Sequence, residues 1–363
     1  MEEKDYVLGF STAPGAGPKS FQKLLKKFGE AKKAWSASLS DFESLGIGNA
    51  NFLKFNNFRK EFDFEKYLQK LKRAKVEFIP FGDKFYPPRL SQIDSPPIGL
   101  FTKGNKNLLL EQNNIGVVGA RKITSYGREV TEKIVSELAR NYIVITSGMA
   151  MGVDSRAHKT CLANNGKTIA VLGCGVDCPY PRENEKLYEN ILDSGGLVIS
   201  EYPLGMNANA GTFPARNRII AALSLAVLIT EAAEDSGSLI TADYSLKFGK
   251  RVFAVPGPIN SRMSMGTLKL LKEGAVLVSS GEDIISELNI KNKKLNIKNT
   301  YKKLNLKKDE KRVYEILEHE AASIDNIYKK TKMSMWKLMT VLSNMELMGI
   351  ISNKDGKWKT NSL

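Results

Sequence analysis

From Phe21 the apolar positions run Phe21, Leu24, Leu25 and Phe28, the spacing of one helix face. The turn "APGAGP" precedes them, and "SLGIGNANFLKF" at 44–55 repeats the plan of a glycine turn followed by a helix. Residues 1–75 are thus predicted as a small helical domain of the helix-hairpin-helix or SAM-like kind. Turn amides of that kind can meet a DNA phosphate, and as many such modules pack on protein. From 115 the period changes. "IGVVG", "YIVITSG", "TIAVLGCG", "LVISEYP", "LAVLIT", "RVFAVPG" and "AVLVSS" are short Val/Ile-rich runs separated by helical stretches. Such alternation predicts an α/β fold with a doubly wound, parallel, Rossmann-like sheet.

Between these regions lies "FIPFGDKFYPPRLSQIDSPPIGLFTKGN", where Pro87, Pro88, Pro96 and Pro97 favour extended backbone. It is too apolar for a free linker and is expected to pack on the sheet domain, assigned to 76–288. Residues 289–303 form a polar, basic linker without period. Residues 304–363 show three helical patterns and a strand–turn–strand ending, "IISNKDGKWKTN", the plan of a winged helix. Lys337 is the only cation between Ser334 and Met348, the stretch holding the expected recognition helix. Protein contact or modest duplex contact suits that helix better than major-groove reading.

The formal net charge of +15 sits unevenly. Residues 1–100 carry 17 Lys and Arg against 12 Asp and Glu; residues 288–363 carry 17 against 8. Residues 101–287 carry 20 against 19, so a polyanion bound there needs a local constellation. No apolar segment follows "MEEKD", so no signal peptide is expected. The run "IIAALSLAVLI" at 219–229 is shorter than a membrane span. With Cys161, Cys174 and Cys178, and only His158 and His319, neither a disulfide framework nor a metal site is expected.

Open parallel sheets bind ligands beyond the carboxyl ends of their strands. The loop "GARKITSYG" offers Gly119, Arg121 and Lys122 before helix amides that can face an anion. Neither a dinucleotide fingerprint nor a Walker motif is present, and no cofactor is expected. "SGMAMGVDSRAH" offers Ser147, Gly148 and Gly152 for close phosphate approach. Its Asp154 and His158, at i and i+4, fit capping and packing better than acid–base chemistry. "EDSGSLITA" places Ser236 and Gly237 at a helix start.

The fourth segment is "GTFPARNRII", with Phe213, Arg216, Asn217 and Arg218. Mid-helix, two arginines at i and i+2 point about 200° apart. Pro214 places them in or near a first turn, where both can reach one sheet edge. Phe213 then offers a face for a base. The alternative makes Phe213 a hydrophobic staple and pairs one arginine with a carboxylate such as Glu231. The ligand reading is favoured.

"VVGARKITSYGREV", "SGMAMGVDSRAH", "IAVLGCGVDCPYPREN", "ISEYPLG", "FPARNRIIAALS", "TEAAEDSGSLITA", "VFAVPGPI" and "LKEGAVLV" follow one another over 85–287. In that order they resemble the motifs of the bacterial DNA-processing family DprA, also called Smf. The resemblance implies a cytoplasmic, non-enzymatic protein that binds single-stranded DNA and protects it. It implies a homodimer through the Rossmann-like domain that helps load RecA during natural transformation. By position, it carries DNA contacts to Gly119, Arg121, Phe213, Arg216, Asn217 and Arg218. One departure is "SMGTLKLL", with Thr267 where the family usually has Asn.

The competing reading is a Rossmann-like phosphoribohydrolase, whose P-G-G-x-G-T-x-x-E loop supplies a catalytic Glu. Here the corresponding stretch is "PGPINSRMSMGT", with no Glu at that spacing. A third, transcription regulation through the winged helix, is disfavoured by the single cation, Lys337, of the stretch holding its recognition helix.

Overall fold

A computed structural model describes residues 1–290, 306–319, 321–354 and 356–360. Residues 291–303 of the expected linker lie outside the described residues. The chain divides into two compact units, Met1–Lys291 and Asn292–Leu363.

The first unit opens with six helices: α1 (Glu3–Thr12), α2 (Pro18–Phe28), α3 (Ala31–Trp35), α4 (Leu39–Ser44), α5 (Asn49–Glu61) and α6 (Phe64–Ala74). Phe10, Phe21, Trp35, Phe42 and Phe55 fill the space between them. Gly17 and Gly48 precede α2 and α5, at the two turns legible in the sequence.

Two strands of the proline-rich stretch follow, β1 (Glu77–Pro80) and β2 (Gly99–Gly104), with the one-turn helix α7 (Pro88–Ser91) between them. The alternating region supplies β3 (Asn114–Val118), α8 (Ser125–Arg140), β4 (Val144–Ser147), α9 (Val153–Ala163) and β5 (Thr168–Val171). It continues with α10 (Glu185–Asp193), β6 (Leu197–Ser200), α11 (Thr212–Leu223), β7 (Ala226–Ile229), α12 (Leu239–Lys247) and β8 (Val252–Ala254). It ends with α13 (Met265–Lys272), β9 (Val276–Leu277) and α14 (Gly281–Glu287).

The sheet order is β1-β2-β6-β5-β4-β3-β7-β8-β9. Strands β3 to β9 are parallel, as the alternating pattern predicts, and β2 joins β6 antiparallel. Both faces are covered. Ile115, Val117, Ala226 and Leu228 enter one core; Val118, Val227 and Ile229 enter the other. Burial on both sides explains why these strands read as unbroken apolar runs. Strands β1 and β2 are absent from the sequence reading, which took this stretch as extended connector. Their edge pairing is long-range and leaves no local period.

Strand β3 is followed by β4 on one side, while α11 carries the chain across to β7 on the other. Val118 pairs with Ile229 where β3 and β7 end. This is the reversal of strand order at which open α/β sheets form a ligand crevice.

The second unit holds α15 (Lys308–His319), β10 (Ala322–Ser323), α16 (Ile324–Thr331), α17 (Met335–Leu347), β11 (Ile351–Lys354) and β12 (Lys357–Thr360). Its sheet runs β10-β12-β11, around a core that includes Val313, Leu342 and Trp358. Three helices and a β-wing make it a winged helix.

Candidate nucleic-acid interface

Backbone proximity builds the crevice first. A Cβ on Gly119 would stand 2.6 Å from the Glu231 carbonyl oxygen and 2.7 Å from Val153 Cγ2. The loop after β3 is therefore clamped between the end of β7 and α9, and the Ala120 amide donates to Glu231 O at 2.7 Å. Gly152 has φ +82°, and a side chain there would strike the Ala120 carbonyl.

The N-cap of α8, at the turn expected to face an external anion, is engaged from within, and the Gly127 amide is capped by the Thr124 hydroxyl. Glu231 is 3% exposed, and its carboxylate accepts from the Thr124 amide at 2.9 Å and the Thr124 hydroxyl at 2.5 Å. A carboxylate at a helix N-terminus satisfies both orphan amides and dipole. Glu231 thus pairs with backbone and hydroxyl, and the carboxylate paired with an arginine is Glu201. Arg121 and Lys122, by contrast, are exposed.

Helix α11 starts at Thr212, with Pro214 in its first turn. Its two arginines part ways, as their spacing requires. Arg216 is 4% exposed and runs beneath the sheet edge. Its Nη1 donates to the Gly148 carbonyl at 2.5 Å and to the Val171 carbonyl, at the ends of β4 and β5. A side chain at 148 would displace the guanidinium, because a Cβ there would lie 2.2 Å from that nitrogen. Arg218 Nη2 meets Glu201 Oε2 at 2.5 Å, with side chains 12% and 10% exposed. Burial raises the Glu201 carboxyl, with Arg218 pulling it down.

Asn217 links two loops. Its Oδ1 accepts from Arg216 Nε at 3.2 Å and its Nδ2 donates to the Gly237 carbonyl at 3.2 Å. The Ser236 and Ser238 hydroxyls bond each other at 2.8 Å, while Gly237 is exposed. Ser147 is buried, its hydroxyl donating to the Val117 carbonyl at 2.6 Å.

Asp154 does not cap α9, whose N-cap is Gly152. Its carboxylate accepts from the Gly148 amide at 3.1 Å and closes the loop after β4. Burial raises the Asp154 carboxyl, with nearby Arg216 opposing. His158 is fully buried, its Nδ1 2.7 Å from the Thr168 hydroxyl. That hydroxyl donates to the Ile145 carbonyl, so Nδ1 carries the imidazole proton. Burial, aided by Arg216, lowers the His158 pKa to about 3. Packing, not acid–base chemistry, is the role of both residues.

On the outer side the guanidinium carbon of Arg121 lies 5.4 Å from the Phe213 ring centroid. Phe213 also meets the Tyr180 ring at 5.4 Å and 37°. The edge thus presents a cation, a half-buried ring and an exposed tyrosine in sequence, with Lys122 beside them.

The model of the DNA recombination-mediator protein A family matches residues 77–289, and that of the DprA winged helix domain matches 302–357. The first alone spans more than half of the chain. The chain belongs to the DprA family. It is 38% identical to protein Smf of Synechocystis over 292 residues, 79% of this chain and 73% of that protein. The crystal structure of DprA from Streptococcus pneumoniae superposes with a TM-score of 0.68 at 36% identity, covering 78% of this chain and 97% of that one. A Helicobacter pylori DprA structure, which describes that protein's single-stranded DNA binding mode, gives 0.54 at 32%, covering 59% and 96%.

Set in this DprA-family fold, the eleven candidate DNA contacts differ in burial. Arg121, Lys122 and Gly237 are exposed, with Gly119, Phe213, Asn217, Arg218 and Ser236 partly so; Ser147, Gly148 and Arg216 are buried. Sequence reasoning passed over Tyr180 and Glu201. Tyr180 had a usable signal: it lies in "GVDCPYP", a loop after a strand at the same edge. Glu201 had the same signal, standing directly after β6, but nothing local pairs it with Arg218 on α11.

Proposed function

We propose that this chain binds single-stranded DNA across the carboxyl edge of its parallel sheet. The pair of exposed Arg121 and half-buried Phe213 carries the reading. Phosphates lie on Arg121 and Lys122, and a base stacks on Phe213 or Tyr180. Gly119, Ser147, Gly148, Arg216, Asn217, Arg218, Ser236 and Gly237 complete the site, the buried ones by holding its loops in register.

The chain works as a recombination mediator without covalent chemistry. It protects incoming single strands and helps load RecA during natural transformation, as a cytoplasmic homodimer joined through the Rossmann-like domain. Family membership supports this role. The commitments of Asp154, Glu201 and Glu231 to internal partners support the non-enzymatic part. Among the described residues no helix is long and apolar enough to cross a membrane.

Fluorescence anisotropy with oligo-dT and with duplex of the same length tests the reading. Single strands bind tighter, and affinity falls with salt by about 0.7 log units per decade for each phosphate contact. Equal oligo-dT affinity for wild type and Arg121→Ala would refute the site. RecA filament growth on single strands coated with a competitor protein tests loading; no acceleration by the chain refutes that part.

A further inference from the structure

We propose that the single-stranded path continues from the sheet edge onto a groove of the N-terminal helices. This rests on the single-strand reading above. The groove, of about 720 Å³, lies where α5 gives way to α6. Phe58, Phe62 and Tyr67 line it together with Lys66, Lys70 and Arg73. The three cations stand at i, i+4 and i+7, so one face of α6 carries them all, and all are exposed. The rings form a series. Phe58 stacks on Phe62 at 4.8 Å, and Phe62 meets Tyr67 at 5.5 Å. Lys70 Nζ lies 5.9 Å from the Tyr67 centroid.

A row of rings beside a row of cations accepts bases on one side and phosphates on the other. Glu61 and Asp63 also line the groove. Asp63 is also the N-cap of α6, accepting from the Lys66 amide at 3.0 Å, and the lining sets three cations against two carboxylates, an excess of one positive charge. The charge balance favours a polyanion.

Position ties the groove to the sheet edge. Lys70 Nζ donates to the Leu204 carbonyl and the Leu204 amide to the Tyr67 hydroxyl, both at 3.1 Å. The Gly205 amide donates to Asp177 Oδ1 at 2.9 Å, in the loop that carries Tyr180. Contacts therefore run from Arg121 through Phe213, Tyr180 and the turn at 203–206 to α6. That continuity with the sheet edge selects a nucleic-acid strand as the occupant.

The test uses the full chain and oligo-dT of about 6 and about 20 nucleotides. The double variant Lys66→Ala/Arg73→Ala leaves Lys70 to hold its turn. It binds the short oligomer as wild type does and loses about fivefold to twentyfold on the long one, with a salt slope lower by about 1.4. A long oligomer carrying iodouracil crosslinks to the peptide 58–73 under ultraviolet light. Unchanged binding of both lengths, with no crosslink in that peptide, overturns the groove and leaves the sheet edge standing. Failure of wild type to bind the short oligomer overturns the sheet-edge reading and the groove with it.

Discussion

Arg121 and Phe213 are in contact, the guanidinium 5.4 Å from the ring centroid. One comes from the loop after β3, the other from the helix after β6. The contact joins the loop after β3 to the start of α11, which packs on the loop after β5, and prepositions a charge beside a stacking surface. A cation–π pair whose cation is exposed contributes about 0.5–1 kcal/mol, enough to orient both groups and too little to trap them.

The first prediction concerns that pair. Phe213→Leu lowers oligo-dT affinity by about 1–3 kcal/mol through lost stacking. Arg121→Ala lowers the salt slope by about 0.7. Thermal unfolding of Arg121→Ala stays within about 0.5 kcal/mol of wild type, as expected for an exposed side chain. A melting loss that tracks the binding loss would show a structural defect instead.

Arg216 should behave in the opposite way. Arg216→Ala abandons two buried carbonyls and removes the cation nearest Asp154, so it costs about 3 kcal/mol of stability. Gly148→Ala drives a Cβ into the same guanidinium and destabilises in the same direction. Urea denaturation measures both. Wild-type stability in Arg216→Ala would show that the buried bonds contribute little.

The Arg218–Glu201 pair is nearly buried at both ends. Removing one partner by Arg218→Ala leaves a charge without its counterpart and costs about 3 kcal/mol. The double variant Arg218→Met/Glu201→Gln recovers a large part of that loss, because both charges go together. A double-mutant cycle on unfolding free energies reads the coupling; additive losses would contradict it.

His158 predicts a pH dependence. Its folded pKa is lowered from 6.5 to about 3, so the unfolded chain takes up a proton that the folded chain refuses. The stability from neutral His158 is complete above about pH 6.5 and declines as pH falls toward 3. Within that window the slope approaches about 1.4 kcal/mol per pH unit. His158→Asn keeps a donor toward Thr168 and removes the titration. Identical slopes for the two chains between pH 6.5 and 5 would exclude His158 as the source.

Much of this arrangement was legible in the chain. The Val/Ile runs from 115 onward named seven parallel strands because all but the edge strand β9 are buried on both faces and therefore mostly apolar. Phe21, Leu24, Leu25 and Phe28 named a helix because only one of its faces is buried. The loops that follow β3, β4 and β7, and the start of α11, were located because strand ends and glycines are local features.

What the sequence alone determined is therefore the element types, their order, and the edge of the sheet that gathers Arg121, Phe213, Arg216 and Gly237. Tertiary structure alone decided which of those residues faces out. Residues 216 and 218 carry the same side chain two positions apart. The helix sends one under β4 and β5 and the other to Glu201, while Glu231 takes the Thr124 amide and hydroxyl at the N-cap of α8. Pairings across the strand order have no sequence period, since they depend on which loops the folded sheet brings together. Local spacing could place two arginines at the edge; only long-range packing could bury them there and leave Arg121 to meet Phe213.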